Sequence, residues 1–233
     1  MITMKSDTAL FVYARLDSSR LPNKAFKKIC NEKLIDIVLR RASDIGIGEA
    51  ILLTTDRTVD DQLASHVKDS GYKVIRGDAF NLVERTIKAI HETKAKYFFR
   101  INGDSPFIDT NLLKFAYQLR SEYELVTNLT DRTFPYGIAV ELVNSDTYLK
   151  MSGNYNQIDA EHVTKHIYTN LDRVSVVNLY SDVCFNNFSL TIDTNEDLLK
   201  MIDLLKGRLS EFKKIQWWEL LTSSPPNIHT RQK

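Results

Sequence analysis

The sequence predicts an α/β fold: a mixed, mostly parallel sheet flanked by helices, with an irregular insertion in its second half. Two observations carry this. Nearly continuous apolar runs alternate with apolar residues at helical spacing through the first half of the chain, the pattern of βαβ units on a parallel sheet. Beyond Asn111 the strict alternation is lost, so the sheet is expected to be mixed rather than wholly parallel.

The first strand is read at residues 9–14, from the run Ala9-Leu10-Phe11-Val12-Tyr13, and the next three at 50–54, 73–75 and 97–101. Between them, Leu34, Ile35, Val38, Leu39, Ala42 and Ile45 fall at helical spacing, as do Val59, Leu63 and Val67, and then Phe80, Val83, Ile87 and Ile90. Each of these helices has one apolar face to lay on the sheet. The second half reads as a helix over 112–121, strands at 125–128 and 138–143, a helix at 160–170, strands at 174–179 and 189–192, and helices at 195–209 and 213–221. Trp217 and Trp218 are expected to pack the last helix or join a subunit contact. Residues 1–7 and 223–233 read as loose ends.

At 233 residues the chain suits one large α/β domain and is short for two, so 1–233 is read as a single domain with 129–170 as its insertion. Hydrophobic residues make up 43% and charged residues 26%, with no low-complexity tract, which predicts a chain folded throughout. The formal net charge of +1 supplies no general field for nucleic acid or an anionic membrane, so neither is expected as a partner. Any anion site must come from local clustering. Cys30 and Cys184 lie far apart without metal-ligand spacing and are expected to be buried, reduced thiols. No apolar segment could span a bilayer and the N-terminus lacks a signal-peptide pattern, so the expected location is cytoplasmic.

Local clustering follows the first strand directly. Arg15, Arg20 and Lys24 place three cations within ten residues, and Ser18 and Ser19 between them leave backbone amides free to approach an anion from a strand end. Triphosphate is the anion such a loop suits. The run from Tyr97 to Ile108 is a buried-strand pattern ending in Gly-Asp-x-Pro, which puts the Asp104 carboxylate at a strand end. Within range of a triphosphate it suits Mg2+, which keeps several waters and needs one or two protein carboxylates. Ligands of open α/β sheets bind beyond the carboxyl ends of the strands, where Arg15, Thr55, Asp56, Arg76 and Asp104 would lie. The P-loop pattern G-x-x-x-x-G-K-[ST] is absent from the sequence.

These motifs resemble those of the cytidylyltransferases that activate acidic sugars, the group of the spore-coat polysaccharide and CMP-3-deoxyoctulosonate enzymes. Arg15, Ser18, Arg20, Leu21, Pro22 and Lys24 match R-x-x-S-x-R-L-P-x-K, and Asp193, Thr194, Glu196, Asp197 and Leu198 match D-T-x-E-D-L. Leu53-Thr54-Thr55-Asp56 resembles the strand end beside the base, and Arg76-Gly77 followed by Arg85 resembles the segment after the third strand. The run from Arg132 to Glu141 matches R-T-x-P-x-G-x-D-x-E, except that Ala139 stands where an Asp is usual; Ala160 likewise replaces the Arg of R-E-H-V-T.

The resemblance implies a Rossmann-like nucleotidyltransferase fold and a Mg2+-dependent transfer of CMP from CTP to an acidic 2-keto sugar, with pyrophosphate released. It implies that Arg15, Arg20 and Lys24 hold the triphosphate and that Asp104 and Asp193 bind the metal. Thr194 and Asp197 would cap a helix. Arg100 and Arg132 are candidates for the sugar carboxylate, because a guanidinium fork suits a planar anion, and Glu141 is retained. A homodimer is implied, with 129–170 shaping the acceptor site and the contact. Two alternatives stay open: a sugar-phosphate nucleotidyltransferase using another triphosphate, or a weakly active nucleotide-binding module, to which Ala139 and Ala160 give support.

Overall fold

The first apolar run forms strand β1 (Thr8–Tyr13) at the centre of the sheet, with alternate residues buried on opposite faces. The computed structural model describes residues 6–153, 160–206, 208, 212 and 214–233. A two-residue hairpin, β2 (Lys28–Ile29) and β3 (Glu32–Lys33), leads into helix α1 (Leu34–Asp44). Strand β4 (Glu49–Thr55), helix α2 (Asp61–Asp69), strand β5 (Lys73–Gly77), helix α3 (Leu82–Thr93) and strand β6 (Tyr97–Asn102) complete the regular half. Then come α4 (Thr110–Gln118), β7 (Leu125–Thr127), β8 (Glu141–Asn144), α5 (Ser145–Ser152), α6 (Lys165–Tyr168), β9 (Val176–Ser181), α7 (Asn195–Leu204) and β10 (Ile228–Gln232).

The eight-stranded sheet runs β10-β9-β7-β8-β6-β1-β4-β5. Strands β5, β4, β1 and β6 are parallel neighbours; β8 is antiparallel to both β6 and β7, β9 is parallel to β7, and β10 is antiparallel to β9. The sheet is therefore mixed and mostly parallel, as the broken alternation predicts. Both faces are covered, which is why β1 and β4 read as unbroken apolar runs. Leu10 and Val12 pack with Ile35, Val38, Leu63 and Leu112 on one face, while Phe11 and Phe98 pack with Val83, Ile90 and Tyr148 on the other.

Several elements differ from the sequence reading, each for a tertiary reason. Residues 223–233 are not loose: Ile228–Gln232 pairs with β9, Ile228 opposite Ser181 and Gln232 opposite Val177. This strand gives no apolar alternation because all but its first residue are exposed. Residues 189–192 are not a ladder strand. They contribute one bridge, Ser189 to Tyr136, with Leu190 N donating to Tyr136 O at 2.7 Å. Gly137, at φ +95°, permits that crossing, since a Cβ there would meet the Leu190 carbonyl carbon at 2.9 Å. The strand read at 138–143 begins at Glu141, and the helix read at 160–170 is reduced to Lys165–Tyr168. Phe80 lies outside α3 and is 64% exposed. Cys184 is exposed rather than buried. Residues 1–5, 154–159, 207, 209–211 and 213, on which parts of the sequence reading fall, lie outside the described residues.

The helix read at 213–221 is a single tight turn, Trp217–Leu220, which sends Trp217 into the core. Its ring meets Phe134 and Phe185 edge-on, and its Nε1 donates to Asp109 Oδ2 at 2.6 Å; Asp109 also caps α4 by accepting from Leu112 N. One step beyond the register pair Phe99–Leu142, a buried ion pair joins Arg100 to Glu141, which also accepts from Thr164 Oγ1 at 2.6 Å. Burial pulls the Arg100 guanidinium down, but the Glu141 carboxylate beside it prevails and holds it above the ordinary arginine value.

Trp217→Ala is expected to destabilise the fold by about 3–5 kcal/mol in urea unfolding, and Trp217→Phe by less, because most of the ring packing survives. Arg100→Met, which strands the Glu141 carboxylate in the interior, is expected to cost about 3–5 kcal/mol in the same measurement. A loss under ~1 kcal/mol for Arg100→Met would mean that the pair contributes no more than an exposed ion pair does.

Candidate active site

The loop that leaves β1 is pinned before it reaches solvent. Leu16 and Leu21 are buried, Leu16 N donates to Asp60 Oδ1 at 2.7 Å, and Asn23 N donates to Leu16 O at 3.0 Å. The polar residues between these anchors are left facing outward, so Arg15, Ser18, Ser19, Arg20 and Lys24 line one wall of a cavity of about 420 Å³. Asp17 forms ion pairs with Arg15, 3.3 Å from Nε, and with Arg57 at 2.5 Å, which links the loop to the segment after β4.

Beside this loop the end of β6 is drawn close to the end of β1. Gly103 N donates to Tyr13 O at 2.9 Å, and a Cβ on Gly103 would sit 2.7 Å from that oxygen and 2.8 Å from Ala14 Cβ. Only glycine fits, and Asp104 is thereby delivered to the cavity. Ile192 N donates to Asp104 O at 3.0 Å, which brings the chain before α7 alongside. Thr194 caps that helix in a reciprocal box with Asp197, as the sequence predicts. Burial works against the Asp197 charge, but hydrogen bonds from Thr194 and from the backbone of Asp193 and Thr194 outweigh it and hold the carboxyl below its usual range. With Asp197 occupied in this way, the Asp193 carboxylate is left to face the cavity.

The cations and acids then meet. Lys24 Nζ lies 3.0 Å from Asp104 Oδ2 and 2.8 Å from Asp193 Oδ1, and Arg20 reaches Asp193 Oδ2 at 3.2 Å. The structure thus brings together Arg15, Ser18, Ser19, Arg20, Lys24, Asp104 and Asp193 at one cavity. Two carboxylates that already share one cation could hold a divalent metal. Among the described residues no group of three His, Cys, Asp or Glu side chains is placed to do so.

Six other residues named from the sequence do not line this cavity, among them Asp56, which is exposed beyond the end of β4. Thr55 is fully buried and gives its hydroxyl to Asp60. Arg76 spans the β4 loop, donating to Thr55 O and Arg57 O at 2.8 Å each and pairing with Asp61 at 2.7 Å. Arg100 and Glu141 are committed to each other, and Arg132 lies over the Tyr136 ring with its guanidinium carbon 4.4 Å from the centroid. Conversely, Tyr13 and Phe80 line the cavity, as does Glu161 of the R-E-H-V-T match, and none of the three has a site role in the sequence reading. A signal for Phe80 was present: Asn81 three residues before Glu84 is a helix-start pattern, and Asn81 Oδ1 does accept from Glu84 N at 2.9 Å. Buried Arg85 also lines the cavity and grips the carbonyls of Asp78 and Ala79.

Comparison with known proteins gives the family. The cytidylyltransferase family matches residues 9–216. The chain is 29% identical over 230 residues to the spore coat polysaccharide biosynthesis protein SpsF of Bacillus subtilis strain 168, covering 93% of each chain. It is 30% identical over 129 residues to the 3-deoxy-manno-octulosonate cytidylyltransferase of Rickettsia massiliae strain Mtu5, which spans 52% of this chain and 51% of that one. The structure of a cytidylyltransferase from Leptospira borgpetersenii superposes with a TM-score of 0.86 at 25% identity, covering 93% of this chain and 92% of that one. No helix among the described residues is long and apolar enough to cross a membrane. Its sequence motifs, its sheet and the match over nearly its whole length agree that the chain belongs to the cytidylyltransferase family.

Proposed function

We propose that this protein transfers CMP from CTP to an acidic 2-keto sugar, releasing pyrophosphate, in the synthesis of a surface polysaccharide or glycan. The observation that carries the reading is the meeting of Arg20 and Lys24 with Asp104 and Asp193 at the mouth of the sheet. The names of the Bacillus and Rickettsia relatives, one for polysaccharide biosynthesis and one for a 3-deoxyoctulosonate acceptor, support the sugar class.

In this reading Arg15, Arg20 and Lys24 attract the triphosphate, and Ser18, Ser19 and the loop amides cradle it. As the α-phosphate bond to pyrophosphate breaks, the same cations offset the charge gathering on the leaving group; no protein nucleophile is required. Asp104 and Asp193 would hold Mg2+, which suits two carboxylates completed by water and phosphate oxygens. The metal would supply charge neutralisation at the phosphates. We further propose a cytoplasmic homodimer, paired through the 129–170 region.

Pyrophosphate release, measured with each of the four nucleoside triphosphates and Mg2+ against a panel of 2-keto acid sugars, tests the reading. CTP-specific release with one of these sugars is the expected result; release with another triphosphate and a sugar phosphate would replace it. CTP binding with no release from any acceptor would favour the binding-module alternative that Ala139 and Ala160 suggest. Asp104→Asn and Asp193→Asn are each expected to lower turnover by about 100-fold or more while the unfolding transition is kept. Normal turnover in either variant would remove that carboxylate from the site.

A further inference from the structure

We infer that Phe80 is the surface on which the aromatic base of the bound nucleotide stacks; the inference rests on the nucleotide reading above. Phe80 lines the same cavity as the phosphate-binding cations, yet the residue is 64% exposed. A large apolar ring held open to water beside a cationic cavity calls for a partner that covers it.

The ring is presented rather than merely left outside. Asp78 Oδ1 accepts from both Phe80 N at 2.8 Å and Asn81 N at 2.7 Å, so the backbone at Phe80 is clamped. Behind it, Arg85, itself only 3% exposed, donates to Asp78 O at 3.1 Å and Ala79 O at 3.3 Å. Helix α3 starts two residues on, which prevents Phe80 from folding into that helix's buried face. The Arg57 guanidinium carbon lies 6.0 Å from the ring centroid and is anchored to Asp17 of the phosphate-binding loop. The aromatic face thus lies beside a cation that is paired with the loop that would hold the phosphates.

A nucleoside triphosphate offers two handles, a polyanion and a planar base. The cations serve the first, and an exposed aromatic ring at the same cavity serves the second, by stacking that accepts any base. Phe80 therefore contributes affinity without selecting cytosine. The acceptor sugar is hydroxylated and not planar, and covers a phenyl ring less well.

The test is calorimetric binding of CTP and of pyrophosphate, without acceptor, to wild type, Phe80→Ala and Phe80→Trp. Phe80→Ala is expected to weaken CTP about tenfold and to leave pyrophosphate unchanged, because only CTP carries a base. Phe80→Trp is expected to keep CTP affinity and to show indole emission, over the wild-type background, that CTP quenches and pyrophosphate does not. Unchanged CTP affinity in Phe80→Ala would overturn the inference, and an accompanying rise in the acceptor KM would give the ring to the sugar instead. Equal weakening of CTP and pyrophosphate would overturn it too, by showing a distorted loop. If wild type bound neither ligand, the nucleotide reading itself would fall.

Discussion

The geometry of the site rests on the ammonium of Lys24 between Asp104 and Asp193. It joins the loop after β1 to segments 80 and 169 residues further along the chain. Two carboxylates turned toward one point repel each other unless a cation stands between them. Lys24 supplies that cation from within the chain, and Arg20 adds a second at Asp193. The side chain of Lys24 is only 17% exposed, so this attraction acts away from bulk solvent and is screened less than a surface pair.

What allows the meeting is backbone rather than charge. The tight contact of Gly103 with Tyr13 and Ala14 decides how far Asp104 advances, and the Thr194–Asp197 box decides where the chain turns after Asp193. Arg100 and Glu141 illustrate the opposite use of the same chemistry. Their pairing is buried in the sheet and tied through Thr164 to the segment that enters α6.

Much of this was legible along the chain because its causes are local. Strands β1, β4 and β6 announce themselves by apolar runs covered on two faces, and Thr194 with Asp197 has the spacing of a cap. The loop residues Arg15 to Lys24 could be assigned to one cavity because a pinned loop after a central strand has one place to go. The pairing of Arg100 with Glu141 was not legible, since their meeting depends on an antiparallel register set by β8. The position of Phe80 was legible only through the Asn81–Glu84 spacing. Its spacing to Val83 and Ile87 continues a helical pattern, and only the cap at Asn81 cuts that pattern short.

Strand β10 acts mainly on what the sheet does not do. Without it, the Val-Val-Asn-Leu-Tyr-Ser backbone of β9 would form the sheet's outer border, an apolar template for pairing with other chains. Instead the border carries His229 and Arg231, exposed along the new outer strand, while Arg231 and Lys233 lean on Asp131. These residues are gatekeepers, and their contribution would be read in resistance to aggregation more than in unfolding free energy.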